Sequence, residues 1–197
     1  RSSLSSEKMI YVLLAILALL IAFFLNSDCS FTLWFRSKTN GNTEEKHYRN
    51  KVVWIVGASS GIGEHLAVRL ARFSPRLILS ARRVDYLNKV AQRCRDVCPT
   101  CEVRILPMDV CEMATTELRT REANQVYGEK VDIVVLNAGR TQRAEWTDID
   151  PSIDVECFTL NTIAPVNIAR FLLKQQGLHP AQKQSGNIQF VIVSSVA

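Results

Sequence analysis

A chain of 197 residues has room for one hydrophobic core and an appendage, since chains divide into several cores only beyond roughly 250 to 300 residues. Its 47% hydrophobic content is that of a globular protein, and its net charge of +5 is thinly spread: seven Lys/Arg and four Asp/Glu precede residue 52, leaving seventeen and fifteen after it. With no basic stripe interleaved with aromatics, nucleic acid is excluded as a partner.

From the N-terminus, residues 1–8 read as a tail, and Met9 to Leu25 (MIYVLLAILALLIAFFL) is an unbroken apolar run. At about 1.5 Å per residue a helix of that length reaches about 25 Å, near the thickness of a bilayer's hydrocarbon core. No polar face interrupts it, and the run is longer than the apolar core of a cleavable signal, so it predicts a single transmembrane anchor. Arg36, Lys38, Lys46, Arg49 and Lys51 follow it and favour a cytosolic domain, although Arg1 and Lys8 reduce the asymmetry. Residues 26–51 are mostly polar, include Asn-Gly, and read as a linker.

From residue 52 short apolar runs alternate with helical patterns. Strands are expected at 52–56, 77–81, 103–108, 131–137 and 188–194, with helices at 62–73, 86–97, 113–127 and 153–176. Continuously apolar strands separated by helices imply an α/β fold, a doubly wound parallel sheet covered on both faces. In the first helix Ile62, Leu66, Leu70 and Phe73 recur at helical spacing and predict its core face.

Between the first strand and this helix stands Gly57-Ala58-Ser59-Ser60-Gly61-Ile62-Gly63. Gly57 can leave the strand in a tight turn, Gly61 admits a pyrophosphate close to the backbone, and Gly63 permits close helix-to-strand packing. Backbone N–H groups and the positive end of the helix dipole then favour an anion, with Ser59 and Ser60 adding hydroxyl donors. A P-loop is excluded, because no Gly-Lys-Ser/Thr follows. The second strand ends in Ser80-Ala81-Arg82-Arg83, without the carboxylate that would hold ribose hydroxyls. Arginine there pairs with a 2′-phosphate, so Arg82 and Arg83 select NADP(H) over NAD(H).

Of the six cysteines, Cys29, Cys94, Cys98, Cys101, Cys111 and Cys157, only Cys94-x3-Cys98-x2-Cys101 is clustered. No second C-x-x-C or H-x3-H supplies a fourth zinc ligand, so no metal site is expected. In an oxidising compartment Cys98 and Cys101 could pair.

The spacing Gly57-x3-Gly61-x-Gly63 resembles the glycine motif of the classical short-chain dehydrogenases/reductases, and Asn137-Ala138-Gly139 resembles that family's second signature. Residues 52–197 follow the family's order, and the chain looks closest to the member 7 branch of microsomal, retinoid- and steroid-related enzymes. The stretches VVW, LSARRV, RC, SDCSFTLW and TQRAEW carry that likeness. The resemblance implies an NADP(H)-dependent oxidoreductase interconverting a hydrophobic alcohol and its carbonyl, anchored as a single-pass protein of the endoplasmic reticulum and homodimeric when complete. It also implies roles: Asp109 and Val110 against adenine, Ser195 on the substrate oxygen, and Asn161 holding a water in the proton relay. The family's Tyr-x-x-x-Lys pair follows its serine by roughly a dozen residues, whereas Ser195 stands two residues from the end of this chain. Tyr11, Tyr48, Tyr86 and Tyr127 lack a lysine four residues on, so the fragment itself is expected to be inactive. The alternative is a truncated, non-catalytic nucleotide-binding or interaction module, whose last strand (IQFVIVSS) would be an exposed apolar edge.

Overall fold

The computed structural model describes residues 3–26, 43–73, 75–177 and 188–194. The chain divides into two units, residues 1–44 and 45–197. In the first, the apolar run lies within helix α1, Ser3–Asn26. Its described side chains are those of residues 8–19 and 23, and the large apolar ones among them, from Met9 to Phe23, are exposed. Among the described residues, no helix is long and apolar enough to cross a membrane.

In the second unit a short helix, α2 (Thr43–Tyr48), precedes strand β1, Val52–Val56. There follow α3 (Gly61–Ala71), β2 (Arg76–Ser80), α4 (Val84–Val97), β3 (Val103–Ile105), α5 (Met113–Gln125) and β4 (Ile133–Leu136). Helix α6 (Pro151–Phe158), a π-helical turn (Thr159–Ile163), α7 (Ala164–Gln176) and β5 (Gln189–Ile192) complete it. The five strands pair in parallel in the order β3-β2-β1-β4-β5.

Side chains on successive residues of a strand point to opposite faces, and here each face has its own core. Val53, Ile55, Leu77, Leu79, Ile133 and Val135 pack on one side with Leu87, Val90, Ala91 and Cys94 of α4, which recur at the spacing of one helical stripe. Val52, Trp54, Val56, Ile78, Val134 and Leu136 pack on the other with Ile168 and Leu172 of α7. Both faces of β1 are therefore sealed, as the uninterrupted sequence VVWIV requires.

The expected elements are present, with three differences. The strand expected to run to Met108 ends at Ile105, because Pro107 offers no N–H to the ladder. The Leu106 and Met108 amides still donate to Leu79 and Ala81, at 2.9 and 3.1 Å. The buried face of α3 is Gly63, Ala67, Leu70 and Ala71 rather than the face beginning at Ile62, which is 64% exposed. Close approach to the sheet selects the small residues, while Leu66 and Phe73 pack at the margin. The helix expected at 153–176 is interrupted by the π turn, which carries Asn161. β5 is an outer strand of the described sheet, with Ile192 67% exposed.

Candidate functional site

The order of strands reverses between β1 and β4, and at such a switch point the loops beyond the C-terminal ends diverge and leave a crevice. A cleft of about 250 Å³ lies there, lined by the glycine turn, the ends of β2 and β4, and the loop after β3.

The floor of the cleft is built from the sheet upward. Ser80 is fully buried at the end of β2, and its hydroxyl accepts the Trp54 indole N–H at 2.8 Å. Its carbonyl accepts the backbone N–H groups of Gly57 (2.8 Å) and Ala58 (3.1 Å), which fixes the first residues of the turn over β2. Gly57 has φ +87°, and a Cβ there would stand 2.6 Å from the Ala138 nitrogen. A Cβ on Gly63 would meet the Gly57 carbonyl oxygen at 2.3 Å and the Asn137 amide nitrogen at 2.7 Å. Asn137 thus does not reach outward for a ligand: its Nδ2 donates to the Gly57 carbonyl at 3.0 Å and locks the end of β4 to the turn.

Of the residues read as cofactor-binding, Gly57, Ser59, Ser60, Arg82, Arg83, Asp109, Val110, Asn137, Ala138 and Gly139 all line the cleft. Gly61, Ile62 and Gly63 do not: Gly63 packs beneath the turn, and Ile62 faces away from the core at the start of α3.

The cleft lining carries three arginines against two carboxylates, and each carboxylate already faces one of the arginines. Asp109 takes the Cys111 N–H on Oδ1 (2.9 Å) and faces Arg82 across 3.9 Å, while Glu156 pairs with Arg140 at 2.9 Å. Arg83 has no carboxylate partner among the described residues. Its Nη2 lies 3.4 and 3.3 Å from the Ser59 and Ser60 hydroxyls, and its guanidinium sits over the Tyr86 ring at 4.0 Å.

The Asn161 side chain folds toward the loop after Asn137-Ala138-Gly139. Its Oδ1 accepts the Arg140 N–H (3.0 Å) and its Nδ2 donates to the Arg140 carbonyl (2.8 Å), a two-point clamp at the exit of that turn. Ser195 lies outside the described residues. Among the described residues no group of His, Cys, Asp and Glu could hold a metal ion. Burial pushes the Cys94 thiol up to about 11 and the Cys101 thiol up to about 12, which leaves both protonated and inert.

Arg140 and Glu156 of the cleft lining, and Tyr86 behind Arg83, escaped the reading of motifs. The signal for Tyr86 is its position three residues after Arg83, one helical turn away. Arg140 stands directly after the Asn-Ala-Gly turn, and only the tertiary structure brings Glu156 to it.

Comparison with known proteins agrees with this geometry. The family model described as short chain dehydrogenase matches residues 51–197. The chain is 34% identical, over 98% of its own length and 56% of the relative's, to the mouse protein called Dehydrogenase/reductase SDR family member 7. It is 35% identical to the 11-beta-hydroxysteroid dehydrogenase-like 4A of Arabidopsis thaliana, over 64% of this chain and 42% of that one. It spans about half the length of these curated relatives. Among solved structures, the alcohol dehydrogenase of the archaeon Thermococcus sibiricus complexed with 5-hydroxy-NADP superposes with a TM-score of 0.58 at 32% identity, covering 64% of this chain and 55% of that one.

Proposed function

The chain belongs to the short-chain dehydrogenase/reductase family, and on that premise we propose that it is the cofactor-binding portion of a membrane-anchored, NADP(H)-dependent oxidoreductase. Its substrates are hydrophobic, steroid- or retinoid-like alcohols and carbonyls. The observation that carries the cofactor is the pair of cations beyond the end of β2, where Arg82 and Arg83 line the cleft, Arg83 reaches the Ser59 and Ser60 hydroxyls, and no carboxylate of β2 competes.

The residues present fit such a group. Gly57 and Gly63 keep the turn compact, and a side chain at either position would drive into neighbouring backbone. Ser59, Ser60 and Arg83 offer hydroxyl and guanidinium donors to the adenosine phosphate, and Asp109 and Val110 form the wall expected against adenine. When bound, NADP(H) supplies or accepts the hydride. Asn161 keeps the loop after Gly139 in place through Arg140, and Ser195 is proposed to hydrogen-bond the reacting oxygen. Turnover is proposed for a protein that also carries the family's Tyr-x-x-x-Lys pair as proton donor. Similarity to the Arabidopsis 11-beta-hydroxysteroid dehydrogenase-like protein supports a steroid-type substrate. The length of the apolar sequence run Met9 to Leu25 supports a single-pass membrane anchor, and the endoplasmic reticulum is the compartment we propose for it from the family resemblance.

Cofactor choice is the test. Titrated with NADPH and NADH, the chain should bind NADPH more tightly. Arg83→Asp should weaken NADPH by roughly 10- to 100-fold, the equivalent of losing a hydrogen bond to a charged group of about 1.5–3 kcal/mol. Arg82→Asp should weaken NADPH less, because Arg82 already faces Asp109. Equal affinity for NADPH and NADH in the unsubstituted chain would overturn the reading.

A further inference from the structure

The contrast between the cleft's arginines points to a role for Tyr86. Arg140 is held by Glu156 at 2.9 Å and Arg82 faces Asp109 more loosely, across 3.9 Å, and a facing carboxylate offsets a guanidinium's charge. Arg83 is oriented differently. It stands at the N-cap of α4, Tyr86 lies one turn on, and the guanidinium carbon is 4.0 Å from the centre of the ring. Lys89, a further turn along the same face, places its Nζ 5.3 Å from the same ring. An aromatic face attracts a cation through its quadrupole without neutralising it, and leaves the guanidinium edge, with its N–H donors, unspent. In this structure that edge is turned toward the Ser59 and Ser60 hydroxyls.

We propose that Tyr86 is a positioning residue for cofactor selection: its ring holds Arg83 beside Ser59 and Ser60 with full charge, so that this trio is ready for the 2′-phosphate before the cofactor arrives. Preorganisation of this kind raises affinity by removing the entropy cost of fixing a long side chain on binding. The ring, rather than the phenolic hydroxyl, is the working part. The inference rests on the NADP(H) reading of the cleft and goes beyond it in assigning selectivity to a side chain outside the glycine and Asn-Ala-Gly motifs.

The experiment measures binding of adenosine 2′,5′-bisphosphate and of 5′-AMP to the 197-residue chain and to its variants by calorimetry. The two probes differ by the 2′-phosphate alone. Tyr86→Leu should weaken adenosine 2′,5′-bisphosphate by roughly three- to tenfold, in line with a cation–π contact, and leave 5′-AMP within about twofold. Tyr86→Phe, which keeps the ring, should match the unsubstituted chain for both probes. In an Arg83→Leu background Tyr86→Leu should have no further effect on either. Unchanged binding of the bisphosphate by Tyr86→Leu, or equal losses for both probes, would overturn the role of Tyr86 while leaving the NADP(H) reading intact. An unsubstituted chain that does not distinguish the two probes would overturn both.

Discussion

At the scale of single residues, the glycines of one motif do different work. Gly61 has φ +61° and open space where a Cβ would stand, so Gly61→Ala meets only the left-handed backbone penalty, about 1–2 kcal/mol. Gly63 has neighbours instead: backbone and the Asn137 amide occupy the place of its Cβ, and neither can withdraw without opening the turn. Gly63→Ala should therefore destabilise by about 1–3 kcal/mol or more and abolish NADPH binding, whereas Gly61→Ala should keep measurable binding. Urea unfolding and nucleotide titration of both variants check this, and equal behaviour would contradict it. The need for glycine at 57, 61 and 63 was legible from spacing, as was the close packing at Gly63. The contribution of Asn137 and Ala138 to that crowding was not, because they lie about 80 residues further along the chain. The double arginine was legible too, whereas the partners that separate Arg82 from Arg83 are tertiary.

At the scale of elements, the π turn shows what periodicity cannot report. Residues 153–176 carry a helical pattern throughout, and the strands and helices before them lie within a few residues of their expected ends. The inserted turn arises where Asn161 takes both polar groups of the Arg140 backbone, and such bulges recur at functional sites. Asn161→Ala frees one N–H and one C=O in a partly solvated loop. A loss of about 1–2 kcal/mol in stability is expected, with hydrogen exchange raised at the Arg140 amide more than in the strands of the sheet. An unchanged exchange rate at Arg140 would show that the clamp does not hold the loop. The shifted face of α3 has a related cause. A pattern of large apolar residues marks the side that could be buried, but the contact with the sheet is close enough to admit Gly63, Ala67 and Ala71 beside Leu70.

At the scale of the second unit, the two ends of the sheet are secured by different chemistry. The C-terminal end is closed by the cleft, and the opposite end is tied by ion pairs. Lys51 meets Asp132 at 2.9 Å, and Arg76 grips Glu129 at 2.8 and 2.6 Å while donating to the Asn50 carbonyl. The Arg76 hydrogen bond holds the Glu129 carboxyl below its ordinary value of 4.5 and raises Arg76 in turn. A carboxyl depressed in the folded state stabilises fully above its unfolded pKa, and this contribution is lost as the pH falls through the folded value. The difference in unfolding midpoint between the unsubstituted chain and Glu129→Gln should thus be present at neutral pH, begin to fall below about 4.5, be lost only in stronger acid where the folded carboxyl itself takes up its proton, and shrink with salt because the pair is exposed. A difference that persisted in acid would place its origin elsewhere. The parallel topology adds a consequence in time. β1 emerges early from the ribosome, but one of its neighbours is β4, and Gly57 waits about 80 residues for Asn137. Until that segment is synthesised, the central strand has only one flank covered, and nascent chains halted before residue 137 should engage chaperones and resist NADPH-dependent protection from protease.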